Sequence, residues 1–241
     1  MKRSLAVLVI LSVLLVAPIW GQTSGGERTV EESYLQESLE TMIIREQAYA
    51  DSKDMKLVAL QYIRQAIDEG RMNPEIGKAL QYLAAETSMV VTRAAGVGRV
   101  LNNYPDVRRE ACLLLGEFKT PEAKDTLLRV SLSDNEPMVI AAALRSLGRI
   151  GINDNDDVTQ AIAFIVNRFD ILMPDNSLAF DSLVALEMLA DAQGGLKDPS
   201  AIRAIMRISD GSYIAPVRQK ARDLLLKLRR MDAAGGSSSG K

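Results

Sequence analysis

The sequence predicts an all-α fold, an α-solenoid in which helix pairs stack into a superhelix. Apolar residues recur at three- and four-residue steps along most of the chain, and no window alternates long enough to predict a β-strand. Helix-forming residues are abundant, whereas aromatic residues make up only 5% of the chain. One type of helix also returns several times at similar spacing, which is typical of a repeat architecture.

The N-terminus has the layout of a secretory signal peptide. Lys2 and Arg3 are basic, Ser4–Trp20 is a predominantly apolar run, and Gly21 is a small residue suited to cleavage. Because the run is shorter than the roughly 20 residues that span a bilayer, the sequence favours cleavage over an uncleaved membrane anchor. It therefore predicts export across the inner membrane, to the periplasm or the medium.

Four segments follow from composition and periodicity. Residues 1–21 are predicted to be the signal peptide, and residues 22–27 a flexible start of the mature chain. The helical solenoid is predicted over residues 28–230. Residues 231–241, rich in glycine and serine, are predicted to be a disordered tail.

The first helix of the predicted domain combines many glutamates with one apolar stripe. The stripe consists of Val30, Tyr34, Leu35, Leu39, Met42 and Ile43. We interpret this helix as an N-terminal cap of the stack, with its polar face outward.

Boundaries of the following helices are marked by capping residues. Gly70 ends an apolar pattern and is expected to adopt the left-handed conformation of a C-cap. A capping side chain followed by a proline is expected to begin a helix at Asn73-Pro74, Thr120-Pro121 and Asp198-Pro199. About eleven helices account for the chain up to Arg230.

Internal similarity sets the register of four recurring helices. Their equivalent positions fall into three sets, expected to face one continuous apolar seam: Val107, Val139, Leu178 and Val217; Ala111, Ala143, Ser182 and Ala221, where close contact demands a small side chain; and Leu115, Leu147, Leu186 and Leu225. The helices between them keep the same register through Leu127, Val166 and Ile205.

Residues 106–151 carry further marks of one repeat family: a Val-Arg pair opening a helix, small residues at its middle and Leu-Gly at its end. The chain resembles the HEAT family, specifically the short HEAT-like repeats first associated with phycobilisome lyases, and looks like an exported bacterial member. The resemblance implies an ARM-type superhelix with an Asp–Arg ladder along the stack. Ile140 and Ala179 replace the arginine found at Arg108 and Arg218, so the ladder is expected to be interrupted.

Catalysis has little support in the composition. Histidine is absent, which removes the commonest general base and most metal sites, and we predict no catalytic residue, cofactor or metal ion. The acidic loop of Asp154, Asp156 and Asp157 lacks the glycine and distal glutamate of a calcium loop, so we interpret it as a helix N-terminus. Cys112, the single cysteine, is interpreted as a small buried side chain.

The charge balance argues against nucleic acid as a partner. Removal of the signal peptide would leave 27 basic residues against 31 acidic residues, whereas binding driven by phosphate neutralisation needs a basic surface. Arg129, Arg168 and Arg207 are spaced by 39 residues and could together hold an anionic partner. The favoured interpretation is that each lies near a helix end, beside a local aspartate.

The second helix of each pair is expected to turn one side toward the concave face of the solenoid. We predict that a partner binds there through Arg109, Leu113, Arg145, Phe180, Val184 and Glu187. Apolar side chains with charged neighbours are typical of a peptide-binding groove. The alternative, that a neighbouring helix covers the apolar members, stays open.

The predicted function is therefore an exported scaffold or adaptor that binds another protein or a peptide and is not an enzyme. One alternative is a membrane-associated assembly factor held by an uncleaved N-terminal anchor. A weaker alternative, by analogy with HEAT-like lyases, is an enzyme.

Overall fold

The structure, a computed structural model, describes residues 30–86, 102–172 and 174–236. The predicted signal peptide and flexible start lie outside these residues. The chain divides into two compact units, residues 1–36 and 37–241. Described residues of the first unit, 30–36, form the beginning of one helix, in which Val30, Tyr34 and Leu35 are exposed. The packing described below concerns the second unit.

Ten α-helices and no β-strand are found in the described part of the chain. They are α1 (Val30–Ala48), α2 (Lys53–Asp68), α3 (Pro74–Ala85), α4 (Pro105–Leu115), α5 (Pro121–Ser133), α6 (Pro137–Ile150), α7 (Asp157–Leu172), α8 (Asn176–Gln193), α9 (Pro199–Asp210) and α10 (Ala215–Gly236). A short 3-10 turn, Asp154–Asp156, precedes α7.

The helices of the second unit pack in two rows. The even-numbered helices from α2 to α10 form one row, in which each helix packs against the next. The odd-numbered helices from α3 to α9 form the other row and pack against the even row. Two rows of helices, in which each helix packs on its neighbour in the row and on the other row, are the arrangement of an α-solenoid. The predicted fold class is therefore confirmed.

The predicted register is also confirmed, with one exception. The first two sets of equivalent positions are buried, with every member between 0% and 2% exposed. In the third set Leu115, Leu147 and Leu186 are buried, whereas Leu225 is half-buried and Leu224 fills the core instead. Each buried leucine or valine contributes about 1.5–3 kcal/mol relative to an exposed side chain, so the seam supplies much of the stability.

Glycine at the end of the repeated helices allows the even row to pack closely. A Cβ atom added at Gly148 would lie 2.6 Å from the Cα of Ala185, on the next even helix. A Cβ atom at Gly116 would lie 2.7 Å from the Cβ of Ser146. The Leu-Gly pairs therefore mark points where successive helices meet with no room for a side chain.

The predicted caps are present. Gly70 has a positive φ of 74°, as expected for a left-handed C-cap. The three capping side chains each accept a bond from a backbone N–H of the first turn: Ile76 N to Asn73 Oδ1 (2.9 Å), Ala123 N to Thr120 Oγ1 (3.2 Å) and Ser200 N to Asp198 Oδ1 (2.9 Å).

One rung of the Asp–Arg ladder is formed. Arg108 Nε lies 2.7 Å from Asp134 Oδ2, and both side chains are 3% exposed. Asp134 also accepts a bond from the backbone N–H of Glu136, at 2.9 Å. Ile140 and Ala179, at the equivalent positions, are buried apolar residues, so the ladder is interrupted there as the resemblance implies.

A second buried ion pair was not apparent from the sequence. Lys56 of α2, only 1% exposed, lies 3.1 Å from Glu86 and donates to the backbone carbonyl of Ala48 at the same distance. Its ammonium also lies 5.2 Å from the ring centroid of Tyr82. Lys56 thereby links the end of α1 to the end of α3.

The apolar stripe on α1 is not the buried face that the sequence suggests. Within the second unit Leu39, Met42 and Ile43 are exposed, and Ile44 and Ala48 are buried instead. Periodicity identifies an apolar face but not what covers it. Among the side chains of this helix that the structure describes, the buried ones, Ile44 and Ala48, lie in its last two turns.

The C-terminal prediction is wrong in part. Helix α10 continues to Gly236, so residues 231–236 belong to it rather than to a disordered tail. Met231 is half-buried and packs against the core, and the residues around it are good helix formers apart from the glycines. Residues 237–241 lie outside the described part of the chain.

Candidate functional site

A cavity opens on the exposed side of the even row, which we call the even-helix face. Its volume is about 430 Å³, within the range of ligand pockets in general. Side chains from α2, α4, α6 and α8 line it, together with one from the loop after α4: Arg64, Arg109, Leu113, Leu114, Glu117, Met138, Ala141, Ala142, Arg145, Arg149, Ser177 and Asp181.

Three of the six predicted partner-binding residues line this cavity: Arg109, Leu113 and Arg145. Arg109 is exposed, and Leu113 is half-buried against the core. The helical register of α4 and α6 brings these residues together, because positions on one side of each helix recur at equivalent places in successive repeats.

The other three predicted residues lie farther along the chain and outside the cavity lining. Phe180 is 39% exposed and Val184 is half-buried. Glu187 forms ion pairs with Lys220 and with Lys227, the latter at 3.3 Å. Glu187 therefore connects α8 to α10, and the prediction that it contacts a partner stays untested.

Sequence reasoning missed five functional candidates that line the cavity: Arg64, Met138, Arg149, Ser177 and Asp181. Arg149 lies four residues after Arg145, which the sequence analysis had considered, so helical spacing offered a signal for Arg149. Arg64 lies on α2, in a segment where no repeat motif was recognised and so no register could be assigned.

Four arginines surround the cavity, and three of them form ion pairs across neighbouring helices. Arg64 pairs with Glu110, Arg149 pairs with Glu117, and Arg145 Nη1 lies 3.2 Å from Asp181 Oδ1. Among the residues that the structure describes, no carboxylate lies within ion-pair distance of the fourth, Arg109.

Two of these arginines affect the pKa of the Asp181 carboxyl. Burial raises the pKa of its carboxyl, and the charges of Arg145 and Arg109 lower it, with burial having the larger effect. The carboxylate of Asp181 is thus paired with Arg145 and influenced by the charge of Arg109, and burial disfavours its ionised form overall.

Ion pairs continue along the whole even-helix face, and we call this series the ion-pair ladder. Its members are Lys53–Asp106 (2.7 Å) and Arg64–Glu110 between α2 and α4, Arg149–Glu117 between α6 and the end of α4, Arg145–Asp181 (3.2 Å) between α6 and α8, and Lys220–Glu187 and Lys227–Asp191 (2.7 Å) between α10 and α8. Each exposed ion pair contributes at most about 1 kcal/mol, but together the ion pairs connect each helix of the even row to the next.

A lysine pairs with two aspartates of the acidic loop at the start of α7. Lys124 of α5 lies 2.7 Å from Asp157, 3.5 Å from Asp154 and 3.6 Å from Asp125. The hydrogen bond to Asp157 raises the pKa of Lys124. Asp157 also accepts a bond from the backbone N–H of Val158 at 2.8 Å, which supports a helix N-terminus.

No group of three or more histidine, cysteine or acidic side chains suited to a metal ion occurs within residues 30–86, 102–172 and 174–236. Cys112 is buried, as predicted, and burial raises the pKa of its thiol. A protonated buried thiol is a poor nucleophile.

The three regularly spaced arginines have separate local contacts. Arg129 donates to Thr126 Oγ1 at 3.3 Å, and Arg168 lies 5.6 Å from the ring centroid of Phe169. Arg207 lies 3.6 Å from Asp170, which supports the interpretation of a helix-end cation beside an aspartate. Binding of an anionic partner by this row stays a prediction.

Among the helices that the structure describes, none has the length and apolar character needed to cross a bilayer.

Comparison with known proteins identifies repeats in the middle of the chain. Residues 100–169 match the family model described as HEAT repeats; this segment contains α4, α5 and α6 and most of α7. No curated protein and no solved structure matches the chain. The match and the packing of the two helix rows together support a HEAT-like repeat protein.

Proposed function

We propose that the protein is an exported, non-enzymatic HEAT-repeat scaffold that binds a protein or peptide through the even-helix face. The observation that carries this proposal is the open cavity of about 430 Å³ between α2, α4, α6 and α8. HEAT repeats are commonly used for protein interactions, and a cavity built on rigid helices is pre-organised for a partner.

The mechanism is burial of apolar anchors beside fixed charges. Met138 is 46% exposed and Leu113 half-buried, so both offer apolar surface to an incoming side chain. Phe180, 39% exposed on α8, offers further apolar surface outside the cavity lining. The arginines at the rim would set the orientation of the partner and speed its approach, as charges at interface edges do.

Cross-linking from inside the cavity tests the scaffold. A photoreactive phenylalanine analogue replaces Met138 in the full chain, in the cells that naturally produce it. Met206, on α9 of the odd row, is 51% exposed and provides the matched control. We expect one protein adduct from position 138 and none from position 206. Absence of an adduct at 138, or the same adducts at both positions, contradicts the proposal.

Two substitutions test whether the apolar residues are surface or core. Phe180→Asp is expected to leave the far-ultraviolet circular dichroism spectrum and the denaturation midpoint nearly unchanged but to weaken the adduct from position 138. Leu113→Asp is expected to weaken the adduct and to cost some stability, since Leu113 packs against the core. Unfolding of both variants would show that these side chains are structural and that the groove does not exist.

Export is a separate part of the proposal and rests on the N-terminal sequence. N-terminal sequencing of the purified protein should give a chain that begins near residue 22, in a fraction released with periplasmic or secreted proteins. A chain that begins at Met1 and stays with membranes after a high-salt wash supports instead the membrane-associated assembly factor with an uncleaved anchor.

A further inference from the structure

We propose that the cavity on the even-helix face recognises an acidic peptide segment, with Arg109 and Arg145 binding one of its carboxylates. This inference rests on the proposed scaffold function and deepens it, because it assigns a chemical class to the partner. Three features of the cavity support it: the balance of charges around it, the free donors of its arginines and the apolar surface beside them.

The charges around the cavity do not cancel. Three arginines are matched one to one with carboxylates, whereas no carboxylate lies within ion-pair distance of Arg109 in the described part of the chain. The chain as a whole has a net charge of −2, so this cationic excess is local. A partly enclosed, locally cationic cavity attracts anions and repels cations.

The paired arginines also retain donors. A guanidinium carries five N–H donors, and the ion pairs of Arg64, Arg145 and Arg149 each employ one terminal nitrogen. Arg145 has a side chain that is 46% exposed. A second carboxylate can therefore bind beside the one already present, and an Arg–carboxylate bond of this kind is stronger than a neutral hydrogen bond.

Asp181 shows which arginine is already engaged. Its carboxylate lies 3.2 Å from Arg145 Nη1. The charges of Arg145 and Arg109 lower the pKa of this carboxyl, although burial raises it by more. Because Asp181 engages Arg145 directly, Arg109 is the arginine left to a partner. We therefore assign Arg109 the main bond and Arg145 the supporting one.

Apolar surface next to these arginines favours a peptide over a free small anion. Met138 and Leu113 line the same cavity, and an inorganic anion has no apolar group that could pack against them. A volume of about 430 Å³ holds only a few side chains. The favoured segment thus carries an aspartate or glutamate with an apolar residue close to it.

Peptide selection against the full chain tests the inference without knowledge of the natural partner. A phage-displayed library of random dodecapeptides is selected on the wild-type chain, on Arg109→Gln and on Arg203→Gln. Arg203 is exposed on α9, outside the cavity lining, and provides the matched control. We expect aspartate and glutamate beside apolar residues to be enriched on the wild-type chain and on Arg203→Gln, and not on Arg109→Gln.

The affinity of one selected peptide, labelled with fluorescein, then measures the carboxylate contribution by fluorescence anisotropy. Replacing its acidic residue by the matching amide is expected to weaken binding about tenfold or more, as is Arg109→Gln, because each removes a charge-assisted bond. Arg109→Lys keeps the charge but not the bidentate geometry, so its affinity for the peptide should lie between those of the wild-type chain and Arg109→Gln. Inorganic phosphate at millimolar concentration should compete only weakly, whereas strong competition would identify a small-anion site and overturn the peptide assignment.

Failure of this inference is distinguishable from failure of the scaffold. If no peptide is enriched, or if acidic residues are enriched equally on Arg109→Gln, the acidic-peptide assignment is overturned even where position 138 still cross-links to a partner. If selection gives acidic peptides but position 138 cross-links to no cellular protein, the cavity chemistry stands and the scaffold function does not.

Discussion

The tight contact at Gly148 gives the sharpest test of the helix packing. Gly148→Ala adds one methyl group, which would lie 2.6 Å from the Cα, 2.9 Å from the carbonyl oxygen and 3.1 Å from the Cβ of Ala185. Two of these three atoms belong to the backbone, so rotation of a side chain cannot relieve the clash. Helices α6 and α8 must separate, and the neighbouring seam loses contacts as they do.

Gly77→Ala provides the matched control, because the chemical change is the same and the surroundings differ. A Cβ atom there would meet only the ring of Phe118, at 3.5 Å, which is ordinary van der Waals contact. Alanine improves helix propensity by at most about 1 kcal/mol over glycine. Overpacking costs about 1–3 kcal/mol, and a backbone clash belongs at the upper end.

We therefore expect Gly148→Ala to lower the free energy of unfolding by about 2 kcal/mol and Gly77→Ala to raise it by about 0.5–1 kcal/mol. Urea titration followed by far-ultraviolet circular dichroism measures both, with comparison of midpoints and slopes, because long repeat arrays can unfold in more than one step. The reasoning is refuted if Gly148→Ala is as stable as the wild-type chain.

Three further predictions follow from buried groups. Asp134→Asn removes the carboxylate paired with the buried guanidinium of Arg108 and should lower the free energy of unfolding by about 3–5 kcal/mol. Asp125→Asn, at an exposed position, should change the urea midpoint little. Similar midpoints for both variants would contradict the buried pair. Burial, together with a hydrogen bond to a nearby aspartate, raises the pKa of Tyr213. The neutral side chain therefore contributes to the free energy of unfolding below pH about 10, and this contribution is lost as the pH rises further. The urea midpoint of Tyr213→Phe should therefore fall less steeply than that of the wild-type chain at alkaline pH; parallel curves would show that Tyr213 ionises freely. Cys112 should react with a thiol reagent only after denaturation, and rapid reaction in the native state would place it on the surface.

Helix boundaries and register could be predicted because they depend on local chemistry. A capping side chain before proline, or a glycine after an apolar pattern, satisfies backbone groups within a few residues, and the structure has them as expected at Asn73, Thr120 and Asp198. The repeated Val, Ala and Leu positions identified the seam because equivalent helices bury equivalent sides.

Features that depend on distant neighbours could not be predicted. Lys56 is buried because a glutamate and a backbone carbonyl from other elements meet it, and no short-range pattern shows that. The apolar stripe on α1 was identified from the sequence, but its exposure was not predicted. Leu224 replaces Leu225 in the core because α10 presents a slightly different side to its neighbours.

Three of the six predicted partner-binding residues line the cavity, and whether any of the six contacts a partner stays a prediction. Arg109, Leu113 and Arg145 followed from helical geometry within recognised repeats, and they line the cavity. Arg64 came from a helix outside the recognised repeats, where no motif fixed the register. The closure of the cavity at α2 is a tertiary property, and only the packing of α2 against α4 reveals it.

The signs in the ion-pair ladder alternate from helix to helix, and this has a consequence for misfolding. Toward its neighbours α2 presents cations, α4 carboxylates, α6 cations, α8 carboxylates and α10 cations. Repeat proteins risk a slipped assembly in which one unit is skipped, since every unit offers a similar apolar surface. Here a skip would place like charges opposite each other, α4 against α8 or α6 against α10, and the wrong arrangement would be penalised at the step where it forms.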